Sequence, residues 1–242
     1  MPDSHKKGII TIAFDDAYQD TYIHAIRYLT GLNIKSTVAV PSSFIGNIFE
    51  NRRIVGLREL KDIIDSGHEI ASHTISHPNL LSLSSKDRKA AIYEIEKSKK
   101  ELQGLLSCRV ESFVFPYIKK NQSRALRLKA EAHYKSARIT RNLPCFNKIP
   151  LKDPYSIEGF SVMKKHSLSY LNRQIDLAGK KHLWLMEVFH LVGKKNTLSA
   201  HRPKPYRYFM HIDDFRKHVQ YIISKNILVL TQKEAVKILS TN

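Results

Sequence analysis

The sequence is poor in cysteine, tryptophan and glycine, and short of acidic groups. Of its 242 residues two are Cys, one is Trp and nine are Gly, while 40 Lys and Arg face 22 Asp and Glu. Cys108 and Cys145 share no CxxC spacing, so a disulfide framework is excluded by count and a reduced pair is expected. No run of about 18 apolar residues occurs, so no transmembrane helix is expected. The opening MPDSHKKGIITIAFDD lacks the apolar stretch and small-residue cleavage site of a secretory leader. A cytoplasmic chain, at most peripheral to a membrane, is therefore the expectation, unless a leader was removed beforehand. Gly/Ser linkers, repeats and low-complexity tracts are also missing, which leaves residues 1–242 as a single domain.

The acid deficit gives a formal charge of +18, which attracts anions. The cations are spread along the chain, with the densest group at Lys194, Lys195, Arg202, Lys204 and Arg207. A basic arm, zinc-finger spacing and RNP-type aromatic sequence are absent, so no specific nucleic-acid partner is expected. That basic group would suit an anionic small or polymeric substrate.

What remains is ample core material: 42% of the residues are hydrophobic, with ten Phe and eleven Tyr. Apolar, β-rich runs occur at 8–14, 36–40, 68–72, 112–115, 136–140, 182–189 and 227–230. Helical periodicity falls at 21–32, 57–66, from Ser84 or Ser85 to Leu105, and at 121–134, 212–226 and 232–239. Strand and helix thus alternate, the pattern of parallel βα units. The fold expected is α/β, a (β/α) barrel or a distorted one, with its chemistry at the C-terminal strand ends. Residues 141–155 are Pro-rich and read as a surface excursion, and 192–209 as irregular.

Reactive residues fall where that fold requires them. Asp15-Asp16 follow the first strand, His73 the third with His77 four residues on, Pro116-Tyr117 the fourth, and His190 the strand from 182. Two His one helical turn apart can present both rings to one ion. A carboxylate from another strand end completes a three-ligand set with open positions, the pattern of a catalytic metal site. A second carboxylate beside it is free to act as base, and a His across the site to protonate a leaving amine.

The segments TIAFDDAYQD, GHEIASHTISHPNL, FVFPY and VFHLVG, with the tail FMHIDDFRKHVQYIISKNILVLTQKEAV, resemble the ordered motifs of the polysaccharide deacetylases. This is carbohydrate esterase family 4, the NodB-homology domain. The resemblance runs from Gly8 to about Leu239. It implies a single distorted (β/α)7-type barrel, and a metal-dependent hydrolase that removes an N-acetyl or related N-acyl group from an amino-sugar glycan or glycan precursor. It implies Asp15 as general base, Asp16, His73 and His77 as ligands of a divalent metal, zinc by donor type, and His190 as general acid. Tyr117 would offer its backbone N–H to the oxyanion.

Two departures from the family pattern stand out. An Arg commonly found two residues before the Pro-Tyr pair is Val114 here, and the Asp/Trp pair that orients the acid His is not visible. The one Trp, Trp184, lies on the His190 strand. Arg138 or Arg141, at the end of the fifth strand, is the expected replacement cation, and Pro116 and Arg138 are expected to line the substrate. Ser72 and Thr74 are expected to hold the His73 ring, and His68 and Glu69 to be polar strand-edge residues. The alternative to an enzyme is a non-catalytic carbohydrate-binding protein on the same barrel.

Overall fold

The computed structural model describes residues 8–118, 123–194 and 207–240. Seven parallel strands form the barrel: β1 (Ile9–Asp15), β2 (Thr37–Val40), β3 (Glu69–Ser72), β4 (Ser112–Ile118), β5 (Ser136–Arg141), β6 (Ile157–Ser161) and β7 (Trp184–Phe189). Each pairs with the next, and β1 pairs with β7 through Ile9↔Trp184 to Phe14↔Phe189, which closes the sheet. The short strand Leu228–Val229 pairs with Ile9 and Ile10, below the point where β2 joins at Ala13↔Thr37. The observed architecture is thus the closed (β/α)7-type barrel expected above.

β1 is buried along its whole length, IITIAFD, because a parallel barrel covers both faces of each strand. Its residues divide by parity. Ile10, Ile12 and Phe14 pack outward with helix residues such as Leu29, Leu171 and Phe215. Ile9 and Ala13 join Ile157, Trp184, Met186 and Val188 in a second cluster, closed by Ala235, Val236 and Leu239 of the last helix. That helix, Gln232–Leu239, is anchored by its first turn. Gln232 N donates to Thr37 Oγ1 at 2.8 Å, and Lys233 N to Glu69 Oε2 at 2.9 Å. A carboxylate at a helix N-terminus is well placed for the helix dipole. Glu69 also accepts from Thr37 and Ser112.

The structure corrects several sequence expectations. Strand β6 and the helix Leu168–Lys181 were not foreseen, since IEGFS has neither a long apolar run nor clear alternation. The long helix foreseen from Ser84 is two helices, Leu80–Lys86 and Arg88–Leu106. Asp87 stands extended between them and caps the second through Ala90 N. Strand β4 runs through Pro116-Tyr117 instead of stopping at Phe115, with an irregular register between Val114 and Ile118. His182 is not a strand residue but the left-handed cap of the preceding helix, φ 50°. His68 and Glu69 are buried, not edge residues. Lys195, Arg202 and Lys204 lie outside the described residues. Within those described, no helix is long and apolar enough to cross a membrane.

Residues 141–155 do form an excursion, and it contributes to the barrel's distortion. β6 and β7 pair only at Phe160↔Glu187 and Ser161↔Val188. Below that point Asn147 bridges them. Its backbone exchanges hydrogen bonds with Trp184, and its amide bonds Glu158 N and O at 2.9 Å.

Candidate active site

The strand ends that carry reactive residues share strained turns. Among the described residues, ten non-glycine positions have positive φ, and five of them are Asp16, Ala17, Thr74, His77 and Tyr117. Such conformations cost roughly 1–3 kcal/mol each and persist where surrounding contacts over-determine them. At Asp16 (71°) and Ala17 (54°) the chain reverses hand as soon as β1 ends, which sets Asp15 and Asp16 side by side at the barrel mouth.

His73 and His77 meet, but not by the helical turn that their spacing suggested. β3 ends at Ser72 and the next helix starts at Leu80. Between them lies a tight loop with Thr74 at φ 69° and His77 at 55°. Thr74 Oγ1 accepts from His77 N at 3.0 Å. Glu94, from the long helix, takes Ile75 N at 2.8 Å, Ser76 N at 3.0 Å and Ser76 Oγ at 2.6 Å. Ser42 and Ser43 bond the loop carbonyls of Thr74 and Ile75. The two imidazoles end edge to face, centroids 4.7 Å apart.

Asp16, His73 and His77 offer donor atoms that all lie within 4.8 Å of one another. Asp16 Oδ1 is 3.4 Å from His77 Nε2 and 3.8 Å from His73 Nε2. That oxygen is buried and has no hydrogen-bond partner among the described residues. His73 Nδ1 is 2.9 Å from the Val114 carbonyl, so it carries the proton and leaves the Nε2 lone pair facing Asp16. Ser72 and Thr74 do not share this task. Ser72 bonds Ser98, and Thr74 bonds the His77 backbone.

Electrostatics favour ligands over an ion pair. Burial drives His73 down to about 3, with the neighbouring His77 adding to the effect, and burial lowers His77 also. Both rings are therefore neutral. Burial, with Asp15 and Glu50, pushes Asp16 up to about 7. A neutral imidazole pair and an orphaned carboxylate oxygen fit a divalent cation, which would supply the missing positive charge.

Asp15 behaves oppositely. Burial alone would raise it, but the Arg138 guanidinium beside it holds it below the ordinary carboxylate range. Arg138 Nη2 donates to Asp15 Oδ1 at 2.5 Å and Nη1 to Thr140 Oγ1 at 2.7 Å. Arg138 is fully buried inside the barrel, so its contact is with Asp15 and not with a substrate. Space for it comes from β6: a Cβ on Gly159 would lie 3.0 Å from Arg138 Cδ and 2.7 Å from Val188 Cγ2. Arg141 instead bonds Glu158.

Tyr117 is half-exposed at the β4 irregularity, its ring 4.9 Å from that of His77. Pro116 is buried beside it. His190 follows β7 directly. Trp184 starts the same strand, roughly 20 Å from His190 at 3.3 Å per residue. Its indole bonds Thr11 inside the barrel, so it is no partner for His190.

Sequence reasoning missed three residues around the site. Glu94 holds the histidine loop. Phe49 and Glu50 come from a small hairpin, Ile48–Phe49 with Arg52–Arg53. The Phe49 ring is 5.8 Å from that of His77, and Glu50 accepts from Tyr18 Oη at 3.2 Å. A two-residue strand has no periodicity that could reveal it.

The profile of the family described as polysaccharide deacetylase matches residues 3–137, more than half of the chain. No curated protein matches the sequence. Among solved structures, the chain is similar to the Xyl-CE4 domain of a multidomain xylanase from the hindgut metagenome of Trinervitermes trinervoides. That match has 15% identity and TM-score 0.61, covering 98% of this chain and 93% of that one. It is also similar to a de-N-acetylase from Aggregatibacter actinomycetemcomitans, with 16% identity, TM-score 0.58, and 68% and 74% of the two chains covered. A third relative in fold is BA3943, a CE4 family pseudoenzyme from Bacillus anthracis, with 14% identity, TM-score 0.57, and 98% and 66% covered. At such identities these structures speak for the fold, and the family assignment rests on the profile. The chain belongs to the polysaccharide deacetylase family.

Proposed function

We propose that this protein is a metal-dependent deacetylase acting on the N-acetyl, or related N-acyl, group of an amino-sugar glycan or glycan precursor. The observation that carries this reading is the pairing of opposite carboxyls. Asp15 is held ionised by a buried Arg, while Asp16 turns an oxygen without a hydrogen-bond partner among the described residues toward two neutral imidazoles. One environment suits a base and the other a metal ligand.

Asp16, His73 and His77 would hold the ion, with zinc the first choice for two imidazoles and a carboxylate. When bound, such an ion polarises an acyl oxygen and acidifies a coordinated water. Asp15 takes one proton from the attacking water, whose oxygen bonds to the carbonyl carbon. The Tyr117 backbone N–H would donate to the acyl oxygen as negative charge gathers there. As the C–N bond breaks, His190 gives a proton to the departing nitrogen, so the products are a carboxylic acid and a free amine. Exposed Arg207, joined to exposed Lys164 by a 2.8 Å backbone hydrogen bond, favours a substrate that carries negative charge.

The test is acetate release by purified, zinc-loaded protein from N-acetylglucosamine oligomers, peptidoglycan fragments and sugar nucleotides, each with a chelator control. Chelator-sensitive release from one of them supports the reading and selects the substrate. Saturable glycan binding without release, in protein shown to carry metal, favours the binding-only alternative.

A further inference from the structure

His190 is held at its backbone by hydrogen bonds and at its ring by stacking. Thr21 Oγ1 donates to the His190 carbonyl at 2.8 Å and accepts from Val192 N at 3.1 Å, which pins the backbone immediately after the residue. The ring's Nδ1 is buried and has no partner among the described residues. A catalytic imidazole is ordinarily oriented by a carboxylate or carbonyl on its far nitrogen. Here the contact is face-on. The Tyr208 ring stacks on His190 with centroids 4.6 Å apart and planes at 23°.

Tyr208 is itself well fixed. Its carbonyl accepts from Leu191 N at 3.2 Å, and the next residue, Phe209, pairs with Leu191 in a short parallel ladder. Its hydroxyl donates to Asn142 Oδ1 at 3.3 Å, and the Arg207 guanidinium lies over its ring at 4.7 Å. The strand after β7 and the residues that return from 207 thus grip one aromatic plate and press it on the His190 ring.

Resting on the reading of His190 as the general acid, we propose that Tyr208 is its positioning residue. It does by stacking what a hydrogen-bonded acid would otherwise do. The plate restricts rotation about the ring's χ2, which is broad for histidine. Nε2 is then kept toward the leaving nitrogen, while Nδ1 stays under cover. A face-on plate fixes the plane of the ring, and with it the line along which Nε2 points. The proposal concerns only the step in which the C–N bond breaks and nitrogen gains the His190 proton.

A leaving group that needs no proton separates this role from general damage to the site. Wild type, Tyr208→Ala and Tyr208→Phe are compared on an N-acetyl amine and on 4-nitrophenyl acetate, whose phenolate departs unaided. Tyr208→Ala is expected to lower kcat on the amide about 10–100-fold, a partial loss of the roughly 100–10,000-fold that general acid catalysis supplies. KM on the amide and turnover of the ester should stay near wild type. Tyr208→Phe keeps the plate and should restore amide kcat. In metal-free protein, the His190 ring protons should show an upfield ring-current shift that Tyr208→Ala removes and Tyr208→Phe retains. Equal losses on ester and amide, or an alanine variant with normal amide kcat, would overturn the proposal. A wild type inactive on both substrates would overturn the deacetylase reading itself, and with it this role for Tyr208.

Discussion

Arg138 and Asp15, 123 positions apart in the chain, form an ion pair sealed inside the barrel, with side-chain exposures of 0% and 3%. Burial of either group alone would be unfavourable. Together they satisfy each other, and Arg138 spends its second amino group on Thr140.

Removing one partner leaves the other charge uncompensated, which typically costs about 3–5 kcal/mol. Arg138→Gln should therefore lower stability by an amount on that order in urea unfolding. Without the guanidinium, burial raises Asp15, and the base is ionised only at higher pH. Activity should fall more at about pH 6 than at about pH 8, because the acidic limb of the rate profile moves up. A loss of equal size at both pH values would speak against the pairing as the source of Asp15's ionisation.

Gly159 makes that pair possible. In Gly159→Ala the new methyl meets Val188 Cγ2 at 2.7 Å and Arg138 Cδ at 3.0 Å. Overpacking of this kind costs about 1–3 kcal/mol. We expect a lower melting temperature and a loss of activity that resembles Arg138→Gln in its pH dependence. A variant that loses stability but keeps the wild-type pH profile would detach Gly159 from the Arg138–Asp15 contact.

Metal binding should release protons in a defined window. Asp16 sits at about 7 because burial raises it, while both histidines are already neutral there. Below that value Asp16 must lose its proton to ligate, so affinity should fall as pH drops below about 7, toward tenfold per unit. Calorimetry in buffers of different ionisation enthalpy should count close to one proton released at about pH 6 and far fewer at about pH 8. His73→Ala should abolish binding. Asp15→Asn should keep the ion and lose at least about 100-fold in kcat, and normal turnover in that variant would defeat the assigned mechanism.

His68 contributes to the acid side of stability. Its Nδ1 accepts from Ser36 N at 2.9 Å, so Nε2 carries the proton and faces Thr30 Oγ1 at 2.9 Å. Burial lowers the ring to about 4, against an ordinary 6.5 in the unfolded chain. Between those values the unfolded chain binds the extra proton and the fold does not, so stability falls as pH drops from about 6.5 to about 4. Above about 6.5 the contribution is constant. His68→Gln should flatten this part of the pH–stability curve, and an unchanged slope would assign it elsewhere.

Much of the fold could be read locally. Buried parallel strands need continuous apolar runs, and GIITIAF, STVAV and the run before His190 supplied them. The positions of Asp15, Asp16, His73 and His190 followed, since each stands where such a run stops. Strand β6 was hidden because two of its interior positions, Gly159 and Ser161, are small, and Gly159 makes room for Arg138. The spacing of His73 and His77 was informative for a different reason than expected. A left-handed turn braced by Glu94, and not a helical turn, brings them together.

The sequence by itself determined the alternation of strands and helices, the barrel class and the residues at its mouth, because these depend on periodicity and on where runs end. Only the tertiary structure decided which cation serves Asp15, what holds the His73 ring, and what lies against His190. Those partners are set by the closing of β1 onto β7 and by which side chains then share the barrel's interior and rim. No spacing along the chain encodes that meeting.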